Sequence, residues 1–131
     1  MKNKIIILLI LIVPLAVFIL LEQFTKDDTA NAIPSDVVGV SKLIKFYSPM
    51  CSECKTVGKN VENVMPDYEG VVVLEEINAS KTDKMTKSLV SKYKITVVPT
   101  LVFIDKQGKV QNTVEGMIEE QDIRNNLEKI K

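Results

Sequence analysis

Histidine and tryptophan are absent from the 131 residues, and there are only two cysteines. Without histidine the chain cannot build the serine–histidine or cysteine–histidine pairs of hydrolytic catalysis, nor histidine-ligated zinc or haem. Two cysteines are too few to staple a small secreted scaffold, which takes several bridges. An excess of charge is missing as well: 17 basic side chains are balanced by 17 acidic ones, a net charge of zero. No nucleic-acid partner is expected, because that needs a clustered basic excess. The length predicts a single domain with one core.

One long apolar run is present. Positions 5–21, IIILLILIVPLAVFILL, hold no charged or polar side chain. As a helix the run reaches roughly 25 Å, the short end of a membrane span. Lys2 and Lys4 precede it and Glu22, Lys26, Asp27 and Asp28 follow it. A cationic flank in front places the amino terminus in the cytoplasm and the remainder outside. Pro14 is tolerated in a membrane helix. The expectation is a retained signal anchor over 1–22, with a cleaved signal peptide as the alternative reading. Ala30-Asn31-Ala32 has the small-x-small cleavage pattern but lies well past Leu21, behind charged residues. A lipoprotein needs a cysteine just after the run, and none is there. A buried soluble helix fits poorly, since no face is polar. Residues 23–35 are polar, contain Pro34 and read as a linker. Residues 36–131 read as the folded domain.

Within that domain LIKFY (43–47) reads as a strand, broken by Ser48-Pro49-Met50. From Cys51 onward Val57, Val61 and Val64 recur at helical spacing until Pro66. VVVLEEI (71–77) is a second strand. A helix follows from Asp83 to Tyr93, with Met85, Leu89 and Tyr93 expected on one face. LVFI (101–104), the turn at Asp105–Gly108 and KVQNTVEG (109–116) make a hairpin, and a last helix carries Ile123, Leu127 and Ile130. The order predicts an α/β fold: a mixed central sheet of about four strands, the first two parallel, with flanking helices.

The two cysteines, in SPMCSEC (48–54), therefore fall where a strand gives way to a helix. A bridge across so short a loop restricts the unfolded chain little, which argues against a passive staple. Half of a shared zinc site is the other bland reading, but zinc takes four ligands. No metal or cofactor is expected. A helix amino terminus offers unpaired N–H groups and the positive end of the dipole, and both lower a thiol's pKa. Cys51 is the expected nucleophile and Cys54, one turn on and further from solvent, the resolving thiol. Glu53 opposes the dipole or sits on a solvated face. Met50 and Tyr47 are expected as packing residues rather than substrate contacts, with Met50, beside the cysteine, open to both roles.

FYSPMCSEC (46–54), VVPT (97–100) and DKQGKV (105–110) leading to Gly116 together resemble the thioredoxin family, from about Ser41 to Lys131. The resemblance implies a thioredoxin-like fold, catalytic Cys51 and Cys54, a cis Pro99 beside the active disulfide, and a substrate-binding stretch at Val98, Pro99 and Thr100. The Val98 backbone would pair with an extended substrate segment. The chain departs from the family in four places. Only residues 36–42 precede the first clear strand. Ser52-Glu53 replaces Gly-Pro between the cysteines, and Met50 replaces tryptophan. Lys45 stands where the family has a buried aspartate that helps deprotonate the resolving thiol. Without that aspartate Cys54 loses its proton by another route, to water or to Glu75 or Glu76; Lys45 itself either snorkels at a sheet edge or has a functional place.

These features lead to the expectation of a membrane-tethered thiol–disulfide oxidoreductase, its domain on the extracytoplasmic side of a bacterial cell membrane. Its expected partners are exported proteins with thiols or disulfides and a membrane redox partner, and the chain is expected to be monomeric. The other class of reading is a non-catalytic binding module for an exported protein or assembly factor. Protease added to intact spheroplasts should digest the chain beyond Glu22; complete protection of the domain until lysis would overturn the orientation.

Overall fold

The computed structural model describes Val13 and residues 39–131. The expected anchor (1–22, Val13 apart) and linker (23–35) lie outside the described residues. Among the described residues no helix is long and apolar enough to cross a membrane.

Four strands form one sheet in the order β2-β1-β3-β4. They are β1 (Ser41–Tyr47), β2 (Val72–Asn78), β3 (Thr100–Ile104) and β4 (Val110–Glu115). β1 runs parallel to β2 and antiparallel to β3, and β3 runs antiparallel to β4. The helices are α1 (Ser52–Val64), α2 (Lys84–Lys92) and α3 (Glu120–Ile130), with a 3-10 turn at Met65–Tyr68. Pro66 accounts for the tighter turn. It sits in the first positions of the 3-10 segment, where its missing N–H costs least.

Alternation along a strand sends successive side chains to opposite faces. Leu43 of β1 therefore joins Leu101 and Phe103 of β3 in a core with Val57, Val61 and Val64 of α1 and Ile123, Leu127 and Ile130 of α3. Ile44 and Phe46 point the other way, and the Phe46 ring meets that of Tyr93 with centroids 6.0 Å apart. Being covered on both faces, β1 is buried along its length up to Tyr47. The apolar pattern of α3 is realised as read: Ile123, Leu127 and Ile130 are all buried.

The face of α2 differs from the one the apolar spacing predicts. Met85 is exposed, and Thr86 and Leu89 are the buried residues. Residues four apart drift around a helix, so the line 86–89–93 faces inward better than 85–89–93. A threonine can take the inward place because Asp83 caps the helix. The Asp83 carboxylate accepts from the Thr86 N–H at 2.9 Å and from its hydroxyl at 2.8 Å. The same two bonds hold the Asp83 carboxyl below the usual aspartate range. At the far end of the sheet Gly108 closes the β3–β4 turn at φ 79°, a region that favours glycine. A bulge shifts the pairing between Phe103 and Ile104.

Leu43 is fully buried in the core on an inner strand. Leu43→Ala should lower the free energy of unfolding by about 2–5 kcal/mol in urea titration, with the m-value unchanged.

Candidate active site

β1 ends at Tyr47, and the chain turns through Ser48-Pro49-Met50 with the Cys51 N–H donating to the Ser48 carbonyl at 3.1 Å. The turn is tied to the segment that follows β2: the Ala79 N–H donates to the Tyr47 carbonyl at 2.9 Å, and the Ser80 hydroxyl to that of Ser48 at 2.9 Å. Cys51 is thereby set, in extended conformation, as the N-cap of α1. Its sulfur takes the place that a serine or aspartate oxygen occupies in an ordinary cap, accepting from the Cys54 N–H at 3.1 Å.

Cys51 and Cys54 form a disulfide with Cα atoms 5.2 Å apart. The two sulfurs differ in access. Cys51 is half-buried, while Cys54 is only 5 % exposed beneath the helix. When the pair is reduced, the capping N–H and the helix dipole both favour negative charge on the Cys51 sulfur. Glu53 lies in the first turn of α1 and is exposed. Its opposition to the dipole is therefore exerted largely through water.

The stretch 97–100 comes to the cysteines from the other side. The Val98–Pro99 bond is cis, and the Val98 carbonyl oxygen lies 3.8 Å from the Cys51 sulfur. Thr100 is fully buried and turned inward, its hydroxyl donating to the Val97 carbonyl at 2.7 Å. Pro99 is buried too, and its carbonyl accepts from the Gly116 N–H at 2.8 Å. Gly116 adopts φ 81°, again a conformation that favours glycine. So Thr100 and Gly116 brace the loop, and Val98 presents backbone next to the sulfur. The Val98 N–H makes no backbone hydrogen bond among the described residues.

Met50 is not a packing residue: it is 97 % exposed, because the turn before the cap lifts it off the sheet. Val97 and Met117, which apolar patterning did not single out, are exposed as well. They lie on the loop of Pro99 and the loop of Gly116, which the Gly116–Pro99 bond joins. Position was their only sequence signal: Val97 opens VVPT, and Met117 follows Gly116.

Lys45 does not lie at a sheet edge. β1 is an inner strand, with Lys45 opposite Glu76 on one side and Leu101 on the other. Its ammonium forms an ion pair with Glu76. Glu75 is one residue off this register and so points to the opposite face of the sheet. Among the described residues no group of three or more histidine, cysteine, aspartate or glutamate side chains could hold a metal ion.

Comparison with known proteins bears on the same elements. The family model described as Thioredoxin matches residues 24–129. Thioredoxin 1 of Nostoc sp. is 29% identical over 90 residues, covering 69% of this chain and 79% of that protein. Protein disulfide-isomerase 1 of Dictyostelium discoideum is 36% identical over an alignment of 94 residues, covering 63% of this chain and 23% of that longer protein. Among solved structures, the germline-specific thioredoxin Deadhead of Drosophila melanogaster is similar with a TM-score of 0.61 and 23% identity, covering 75% of this chain and 86% of that one. At that identity the likeness speaks for the fold.

The difference in access and capping has a direct consequence for the reduced protein. Cys51 should be alkylated at least ~tenfold faster than Cys54 at neutral pH, as read by mass spectrometry of a time course. Equal rates, or a faster Cys54, would contradict the cap.

Proposed function

The chain belongs to the thioredoxin family, and from that premise we propose that it exchanges disulfides with exported proteins through Cys51 and Cys54, tethered to the outer side of a cell membrane. It is a thiol–disulfide oxidoreductase with a Cys51–Cys54 pair. The observation that carries the assignment of roles is the sulfur of Cys51: it caps α1 through the Cys54 N–H and sits 3.8 Å from the Val98 carbonyl. The extracytoplasmic setting is supported by the lysines before the apolar run at 5–21.

In the reducing direction the Cys51 thiolate attacks one sulfur of a substrate disulfide. A Cys51–substrate disulfide forms and the other substrate sulfur leaves as a thiolate. Cys54 then loses its proton and attacks the Cys51 sulfur. The Cys51–Cys54 bond forms, the mixed disulfide breaks, and the second substrate thiol is released. The substrate is reduced by two electrons and the pair is oxidised by two. The reverse sequence passes the bridge to a substrate dithiol, and a membrane redox partner then restores the pair.

An extended substrate segment lies against Val98, whose N–H and carbonyl serve as a short strand edge. Met50, Val97 and Met117 give this edge an exposed apolar rim, which suits unfolded or partly folded chains better than a small polar substrate. Pro99 and Thr100 act by holding Val98 in place rather than by side-chain contact.

Removing Cys54 should stop the cycle after its first step, since water does not resolve a mixed disulfide at a useful rate. Cys54→Ser should therefore leave exported proteins attached through Cys51, seen as adducts on a non-reducing gel and lost on reduction. Cys51→Ser should trap none, and the double variant should be inert. If Cys54→Ser traps nothing while the wild type turns over disulfides, Cys51 is not the attacking thiol or Cys54 is not the resolving one. A binding module would instead keep its partner after both cysteines are replaced.

A further inference from the structure

Beneath α1 there is a charged pair that the exchange cycle does not yet use. Lys45 sits on the inner strand with its side chain only 9 % exposed, while Glu76, its ion-pair partner, is 46 % exposed. The lysine head does not lie at the sheet surface. A Cβ built on Gly58 would stand 3.3 Å from the Lys45 Nζ. Gly58 is a buried glycine in the interior of α1, a position where glycine costs the helix roughly 0.5–1 kcal/mol relative to alanine. The ammonium therefore rests against the underside of the helix, where a side chain at Gly58 would crowd it.

Gly58 lies four residues after Cys54, and both are among the buried residues of α1. Positions four apart on a helix are neighbours, with Cβ atoms about 5–6 Å apart. The ammonium is therefore lodged within one turn of the resolving sulfur, under the same face. Tyr47, two residues along β1, has its ring centroid 5.6 Å from the Nζ. Across β2 stands Glu76 and across β3 the neutral Leu101. On α1 itself Glu53, Lys55, Lys59 and Glu62 are all exposed.

We propose that Lys45 is a positioning residue for the second step of the exchange: its ammonium, held under α1 beside Gly58, favours the thiolate of Cys54 while Cys51 is joined to substrate. Once the mixed disulfide forms, the Cys51 sulfur carries no negative charge, and Cys54 must ionise within a buried site. Burial alone opposes that ionisation. A nearby cation favours it, with the proton leaving to solvent water rather than to a buried base. The thiolate then attacks Cys51, and the departing substrate thiolate takes up a proton from water. The charge at this position thus acts on the product of ionisation, not as a proton acceptor. This inference rests on the proposed function, with Cys51 as the attacking thiol and Cys54 as the resolving one.

The reduced full-length protein can be mixed with the chromogenic disulfide dithiobisnitrobenzoate in a stopped-flow instrument. Cys51 attack releases one equivalent of coloured thiolate, and Cys54 attack releases the second. The rate of the second phase, followed from acid to alkaline pH, reports the ionisation of Cys54. Lys45→Met should slow the second phase about tenfold at pH 7 and move its midpoint about one unit upward, with the rate recovered at high pH. The first phase should change much less. Glu76→Gln removes the negative charge beside the ammonium and should move the midpoint downward. This variant changes a half-exposed side chain, so it tests the inference even if Lys45→Met folds poorly. A second-phase profile for folded Lys45→Met that coincides with the wild type overturns the role of Lys45 and leaves the exchange cycle standing. A slower second phase in Glu76→Gln also overturns it, because that marks the carboxylate as the base. Absence of a second equivalent from the wild type at any pH overturns the cycle itself, and this inference with it.

Discussion

The hydrogen bond from the Cys54 N–H to the Cys51 sulfur, 3.1 Å long, is the interaction on which the site depends. It makes one cysteine both the helix cap and the reacting atom. A free helix start has N–H groups without partners, and here one of them is spent on a sulfur that can carry negative charge. For this to hold, the chain must arrive at the helix in extended form and at a fixed height. The inner strand β1 ensures both. It is paired on both sides and covered on both faces, so its end at Tyr47 has little freedom. The bonds from Ala79 to Tyr47 and from Ser80 to Ser48 then tie the turn to the segment that follows β2.

The opposite wall of the site follows from the same sheet. β3 lies next to β1, so the residues leading into β3 reach the start of α1. Val98 stands there with its carbonyl 3.8 Å from the sulfur because its neighbours are fastened elsewhere: Thr100 to Val97, and Pro99 to Gly116. The division of labour is between side chains that point inward and hold the loop and a backbone segment that is left to meet substrate. A substrate strand therefore finds a rigid edge, which limits the ordering cost of binding to the substrate itself.

The polar pair under α1 shows how a packed helix can accommodate charge. Buried ammonium groups are tolerated when they are paired, and Glu76 supplies the partner from the neighbouring strand. Gly58, which lacks a side chain, leaves the ammonium uncrowded against the helix. Lys45, Glu76 and Gly58 come from β1, β2 and α1, so their relation is set by strand register and by the height at which α1 crosses the sheet.

The amino-acid sequence by itself determined the element order, the strand-to-helix position of Cys51 and the apolar lines of α1 and α3. Each of these rests on local pattern: alternation, helical spacing and a proline that limits a helix. It also marked Pro99 and Gly116 through their place in a recurring family pattern. Only the tertiary structure decided the rest. That Lys45 belongs to an inner strand depends on which strands pair, and pairing is not local. That Met50 is exposed while Thr86 is buried depends on the lift of a turn and on a cap bond from Asp83, both of which outweigh hydrophobicity. That Glu76 rather than Glu75 meets the lysine is a matter of one residue of register, and a single step along a strand reverses the face.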